Sequence, residues 1–294
     1  MIKRIIPILC ALVLAGSCKP ADSAGESLEA ADVCVYGGTS AAVTAARAAA
    51  KEGKKVVVIC PDTVLGGMTT GGLGQTDIGN KQAIIGMARG FYRDLGSHYG
   101  VDEQWTFEPS VAQRILDGYM KDDKISLHTG FRLSSVSKKG VRIRSITCVG
   151  DEGSKTVKAP VFIDATYEGD LMAMAGVSYH VGREDMSVYG EKWNGSHISR
   201  YHQFPDGVDP FVVKGDPSSG LLWGIQDWTM KDEGVGDDYV QAYNYRICMS
   251  KDKGNQIPIT RPADYDSTKY ELLVRVFEAD PDPVVKNYFI WSVM

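Results

Sequence analysis

Two apolar runs frame the first recognisable unit of the chain. Val33-Cys34-Val35-Tyr36 leads into Gly37 and Gly38, and Val56-Val57-Val58-Ile59 follows an alanine-rich stretch. Neither run alternates with polar residues, so both are predicted as strands buried on two faces. Between them, 41–51 is predicted as a helix, because alanine is the best helix former and lets a helix lie close to a sheet. Gly53 ends it. Strand, glycine turn, helix and strand over 32–59 make a parallel βαβ crossover.

The pattern then changes repeatedly. Residues 61–79 hold six glycines, at 66, 67, 71, 72, 74 and 79, and read as a loop. Residues 81–99 have helical spacing through Ile84, Ile85, Ala88, Phe91, Tyr92 and Leu95. Glu108-Pro109-Ser110 opens a further helix whose apolar face is Val111, Ile115, Leu116 and Tyr119. Residues 125–163 are β-rich, with Val141-Arg142-Ile143-Arg144 alternating and turns at Lys138-Lys139-Gly140 and Asp151-Glu152-Gly153-Ser154. Val161-Phe162-Ile163 is predicted to return to the first sheet, before a helix over 171–175 closed by Gly176. Residues 181–262 are rich in Trp, Tyr, Gly, Asp and Pro and read as short irregular strands between loops. A helix is predicted over 270–279, and the apolar run 289–294 reads as a truncated end.

The fold class expected is α/β, a Rossmann-like doubly wound parallel sheet plus a β-meander, with a second β-rich domain. The predicted divisions are a leader over 1–18, a tether over 19–30, a nucleotide-binding domain over 31–178 and the β-rich domain over 179–294. Lys3 and Arg4 precede an apolar stretch, 5–15, too short to span a bilayer. Leu14-Ala15-Gly16-Ser17-Cys18 resembles a bacterial lipobox, with Cys18 as the lipidated residue, although Ala15 stands where a larger aliphatic residue is usual. An ordinary signal peptide cut near Ser17 is the alternative. The expected location is the bacterial cell envelope, with the membrane met only through the lipid.

The net charge of −5 and the lack of a Lys/Arg run argue against a nucleic-acid partner. Cys34, Cys60, Cys148 and Cys248 have no C-x-x-C spacing, so no metal or iron–sulfur site is expected. In the glycine fingerprint of a dinucleotide site, the three positions fall on Gly37, Thr39 and Ala42. Thr39 departs from glycine, and its hydroxyl could donate to a phosphate oxygen. The acidic residue expected at the end of the second strand is replaced by Cys60. Asp62 lies two residues on and either substitutes for it or caps the turn after Pro61. The two glycine pairs of 65–74, flanking Met68-Thr69-Thr70, allow backbone to approach a flat ligand.

Gly37-Gly38-Thr39-Ser40-Ala41-Ala42, the 65–74 segment with Gln75-Thr76-Asp77-Ile78-Gly79 after it, and Asp164-Ala165-Thr166-Tyr167-Glu168-Gly169-Asp170 resemble the FAD-dependent oxidoreductases. More narrowly, they are similar to the group related to the flavin subunit of heterodisulfide reductase. The resemblance implies FAD as cofactor. It implies that Gly37, Gly38, Ser40 and Ala41, with Thr39 in the same turn, line the pyrophosphate. Gly66, Gly67, Met68 and Thr69 would lie along the flavin, and Asp164, Thr166 and Asp170 would border the cofactor. Family members are longer, and a later segment completes their flavin pocket; this chain is expected to stop before it.

No residue stands out as a catalytic acid or base. His197 and His202 flank Arg200 and Tyr201 as a polar patch or as surface histidines. Arg246 is an anion clamp or a strand-surface residue, and Trp223, Trp228, Tyr243 and Tyr245 are stacking platforms or core. The expected activity is hydride or electron transfer between a small organic substrate and FAD, the redox partner being unspecified. The alternatives are an NAD-dependent Rossmann enzyme and a glycan-binding or polysaccharide-processing surface lipoprotein.

Overall fold

The computed structural model describes residues 27–199, 203–227, 229–241 and 247–280. These form two compact units, one containing the chain up to Gly67 with Leu116–Ala175, the other Met68–Ile115 with the chain from Gly176 onward. Composition alone suggested one cut near 178; instead Met68–Ile115 groups with the later residues.

In chain order the elements are β1 (Ser27–Ala30), β2 (Val33–Tyr36), α1 (Ser40–Lys51), β3 (Val56–Cys60), α2 (Gly86–Tyr99), α3 (Pro109–Tyr119) and β4 (Ile125–Thr129). There follow β5 (Arg132–Lys139), β6 (Arg142–Gly150), β7 (Gly153–Lys158), β8 (Val161–Asp164), α4 (Asp170–Met174), α5 (Met186–Tyr189) and α6 (Glu271–Ala279).

The first unit is built on a parallel sheet of order β4-β3-β2-β8. Both neighbours of β2 run parallel to it, and the chain leaves β2 toward β3 on one side and returns as β8 on the other. The strand order therefore reverses at β2, which makes the crevice beyond the C-terminal ends of β2 and β8 a topological switch point. All five residues of β3 are buried, as the unbroken apolar run requires. The helix α1 packs on β2 and β3, burying Ala42, Val43, Ala46 and Ala50. Cys34 and Tyr36, Val57 and Ile59 share a core with Ile146, Cys148 and Val157 of the second sheet, of order β1-β7-β6-β5. Alternation along β2 and β3 puts these four side chains on one face of the parallel sheet. A meander thus covers that face.

Three expectations change here. Residues 27–30 are not tether: β1 pairs in parallel with β7, and the Glu29 carboxylate is 2.9 Å from His128 Nε2 and 3.7 Å from Lys55 Nζ. The edge of β7 supplies backbone partners that a polar, small-residue segment does not announce. The helix predicted over 81–99 begins only at Gly86. A 3-10 turn, Lys81–Ala83, is capped by Asn80, and Ile84 and Ile85 are extended, as suits adjacent β-branched residues. The β-rich second domain is also not seen: among the described residues beyond Gly176 there are only isolated bridges, Arg183↔Asp237 and Phe211↔Leu221. Gly, Pro and Asp recur too often there for a period of two to persist.

The second unit is held by aromatic and polar anchors. Phe91 meets Phe107 edge-on at 5.8 Å, and Tyr92 stacks on Trp105 at 3.9 Å. The buried Arg275 of α6 donates to the carbonyls of Asp209, Phe211 and Val212 and to the Glu271 carboxylate. Arg183 forms a two-point ion pair with Asp237. Among the described residues no helix is long and apolar enough to cross a membrane, and no group of three His, Cys, Asp or Glu side chains is placed to hold a metal. Cys18 and the leader lie outside the described residues, as do Arg200, Tyr201, His202, Trp228, Tyr243, Tyr245, Arg246 and 289–294.

Candidate cofactor site

The crevice at the switch point is made by three turns of the first unit. The turn after β2 carries Gly37, Gly38 and Thr39. Gly37 has φ +128°, and a Cβ there would lie 2.3 Å from the Ala165 carbonyl oxygen. Only glycine lets the ends of β2 and β8 come this close. Gly38 is equally confined, since a Cβ would sit 2.2 Å from Cys60 Sγ at the end of β3.

Thr39 resolves the departure from the glycine fingerprint. Its hydroxyl donates to the Ala165 carbonyl at 2.8 Å and accepts from the Ala42 N–H at 3.4 Å. It is the N-cap of α1 and a stitch between the β2 and β8 turns. Buried in this way, the hydroxyl is directed at backbone, not held out for a phosphate. The first N–H groups of α1, from Ser40 and Ala41, lie ahead of the helical ladder, where the dipole's positive end favours an anion.

The second turn follows β3. The Gly66 N–H donates to the Gly38 carbonyl at 2.7 Å, and Gly66 bridges Thr39 in parallel. Gly67 has φ +56°, and a Cβ would lie 2.3 Å from the Tyr167 hydroxyl. Met68 and Thr69 continue the chain in a 3-10 turn, Gly67–Thr69, and belong to the second unit. Met68 is exposed.

The third turn follows β8. Asp164 is committed to local structure: Oδ1 accepts from the backbone N–H and hydroxyl of Thr166 at 3.0 and 2.7 Å, and Oδ2 accepts from Met172 N–H at 2.8 Å. The Thr166 hydroxyl in turn accepts from the Gly169 N–H. Asp164 and Thr166 therefore shape the β8–α4 turn, and Asp170 is exposed in the first turn of α4.

Cys60, where a ribose-binding carboxylate is usual, is fully buried. Burial pushes its thiol pKa up, only partly opposed by a hydrogen bond with the Asp62 backbone. A neutral, buried thiol cannot stand in for a carboxylate. Asp62 is exposed, and its carbonyl accepts from the Gly130 N–H. Burial likewise raises Cys148, to about 12, and raises Cys34 further. All four described cysteines are free.

The remaining candidates fall elsewhere. His197 contacts the Asn194 carbonyl at 2.7 Å and the Glu233 carboxylate at 3.2 Å. Trp223 is exposed. Tyr167 had no role expected of it, yet its side chain stands over Gly67; a large aromatic between two acid-and-glycine turns was the available signal.

A three-layer unit with a glycine turn, a helix start and the switch point together is a dinucleotide-binding α/β fold. The chain belongs to the FAD dependent oxidoreductase family, whose model matches residues 32–292, and FAD rather than NAD is accordingly the cofactor. No curated protein matches the sequence. Among solved structures, a flavoprotein/dehydrogenase from Cytophaga hutchinsonii is 16% identical over 53% of this chain and 44% of its own, with a TM-score of 0.39. A geranylgeranyl bacteriochlorophyll reductase-like protein from Thermoplasma acidophilum is 18% identical over 52% and 43%, TM-score 0.37. L-proline dehydrogenase from P. horikoshii is 15% identical over 55% and 24%, TM-score 0.33. The chain thus spans less than half the length of each of these three.

Proposed function

We propose that this chain binds FAD through the switch-point crevice and takes hydride or electrons from a small organic substrate. The observation that carries the reading is the meeting of Gly37 and Ala165 at the ends of β2 and β8, with the start of α1 beside them. In this reading the N–H groups of Ser40 and Ala41 receive the pyrophosphate, and Gly37 and Gly38 keep the crevice free of side chains. Gly66 and Gly67 continue it toward the flavin, with Met68 and Thr69 following in sequence. Asp164 and Thr166 act by holding the β8 turn in place, and Asp170 stands at its rim. The missing acid at Cys60 lowers the affinity expected at the ribose. FAD, when bound, supplies the redox chemistry, while the protein orients it and sets its electrostatics.

The proposal extends to kinship with the flavin subunit of heterodisulfide reductase, supported by the motifs at 65–79 and 164–170 only through resemblance, and to a lipid anchor at Cys18. A small substrate and an envelope location belong to the same reading. The test is flavin absorbance of purified protein and FAD titration of the apoprotein. Gly37→Val is expected to remove FAD binding, because its side chain meets the Ala165 backbone. Full FAD binding by a folded Gly37→Val protein would sink the assignment. For the anchor, Cys18→Ser is expected to release the protein from the membrane fraction; unchanged membrane recovery overturns it.

A further inference from the structure

We propose that a hollow in the second unit, beside Lys81, Arg89 and Arg93, binds the oxyanion group of a small molecule: a carboxylate, sulfate or phosphate. The hollow has a volume of about 740 Å³ and is also lined by Asp102, Glu103 and Trp105, a size that suits a small ligand. Every one of these residues lies between Met68 and Ile115, within the second unit.

Its cations are not equivalent. Arg89 engages both oxygens of Glu103, at 2.7 and 3.2 Å. Hydrogen bonding to Arg89 holds the Glu103 carboxyl below its ordinary pKa, so this pair is a fixed, neutral backing. Arg93, one helical turn further along α2, reaches Glu103 through Nε alone, at 3.2 Å, and its side chain is 63% exposed. Its terminal amino groups remain for a second anion, in the fork that matches an oxyanion.

Lys81 sits over the face of Trp105, with Nζ 5.4 Å from the ring centroid. Trp105 is 8% exposed and stacks on Tyr92, so the exposed ammonium of Lys81 lies against a packed aromatic layer. Among the described residues, no carboxylate lies within ion-pair range of Lys81. Two positioned donors, one forked and one a point charge, thus face a hollow whose other arginine is already neutralised. Asp102 at the lining offsets part of the field, which favours one anionic group over a polyanion.

The experiment is calorimetric titration of the full chain at low ionic strength with sodium phosphate, sulfate and acetate. Lys81→Gln and Arg93→Gln are each expected to weaken the best of these by about tenfold, and the double variant to abolish binding; tenfold is about 1.4 kcal/mol. Lys81→Arg should retain binding, which separates charge from damage to the fold. Arg142→Gln, at an exposed position of β6, should have no effect. The strongest of the three anions identifies the group recognised, and any one of them supports the site. Absence of binding by the unaltered chain overturns it. So does binding that survives in the double variant, which would place the anion elsewhere, such as at the start of α1. An equal loss in Arg142→Gln also overturns it, as a mere effect of net charge.

Discussion

Buried side chains differ in kind between the first unit and the described residues beyond Gly176. In the first, β3 is buried along its length, and Cys34, Tyr36, Val57, Ile59, Ile146 and Val157 close a single apolar cluster. Among the described residues beyond Gly176, Leu222 and Val276 are the buried hydrophobic side chains, and Arg275 and Asp237 are buried with them. One region is shaped by volume, the other by hydrogen bonds that must stay paired. A functional crevice made of backbone turns needs the first kind, because a packed interior transmits position with little slack.

The largest effect should come from the apolar cluster. Ile59→Ala removes a fully buried side chain and is expected to cost about 3–4 kcal/mol through lost transfer energy and a residual cavity. Val240→Ala, at a 67% exposed position, should cost under about 0.5 kcal/mol. Urea midpoints of the two variants measure the contrast, and similar shifts would break it.

Next in size is Arg275→Met. It keeps length and apolar bulk but strands the carbonyls of Asp209, Phe211 and Val212, at about 2–3 kcal/mol. Limited proteolysis should then cut near 209–212 while leaving the parallel sheet intact. Resistance equal to the unaltered protein would show that the polar anchor does not hold this region.

The same contrast explains what could be read from the sequence. The unbroken apolar runs at 33–36 and 56–59 announced a two-face-buried sheet, and both strands stand in β2 and β3. The turns at 138–140 and 151–154 likewise lie at the β5–β6 and β6–β7 hairpins. The partners of Thr39 and Asp164 were not legible. Thr39 bonds a residue 126 positions away, and no local pattern carries such a pairing. β1 was missed because its stability comes from the edge it joins, not from its own residues. The region beyond Gly176 suggests strands because aromatics favour strands, but there the turn residues set the backbone.

Acid should separate the regions as well. Asp237 is held below its ordinary pKa chiefly by the Arg183 hydrogen bond, and Asp185 by Ser187. Asp209 is lowered by the Phe211 N–H, Asp266 by Thr268 and Glu278 by Lys214. A depressed carboxylate stabilises the fold fully above its unfolded pKa, about 3.9 for Asp, and the contribution is lost as pH falls through the folded value. In the first unit Glu29 is the lowered carboxylate among the described residues: burial opposes the shift, but hydrogen bonds from His128 and Ser126 outweigh it. Hydrogen exchange at successively lower pH should therefore rise first beyond Gly176 and later in β2, β3 and β8. The reverse order would refute the division.

The smallest effect is the sharpest test of the crevice. Thr39→Val keeps the shape of the side chain and removes the hydroxyl that caps α1 and joins the β8 turn. The loss of a cap and a backbone stitch should cost about 1–2 kcal/mol, and Thr39→Ser should restore most of it. FAD affinity should fall only as far as the α1 start and the β8 turn loosen, by a few-fold at most. If Thr39→Val left stability unchanged and cut FAD affinity more than about tenfold, or 1.4 kcal/mol, the hydroxyl would be touching the cofactor. Thr39 would then replace the fingerprint glycine by function, whereas the bonds seen to Ala165 and Ala42 give it the role of holding two strand ends together.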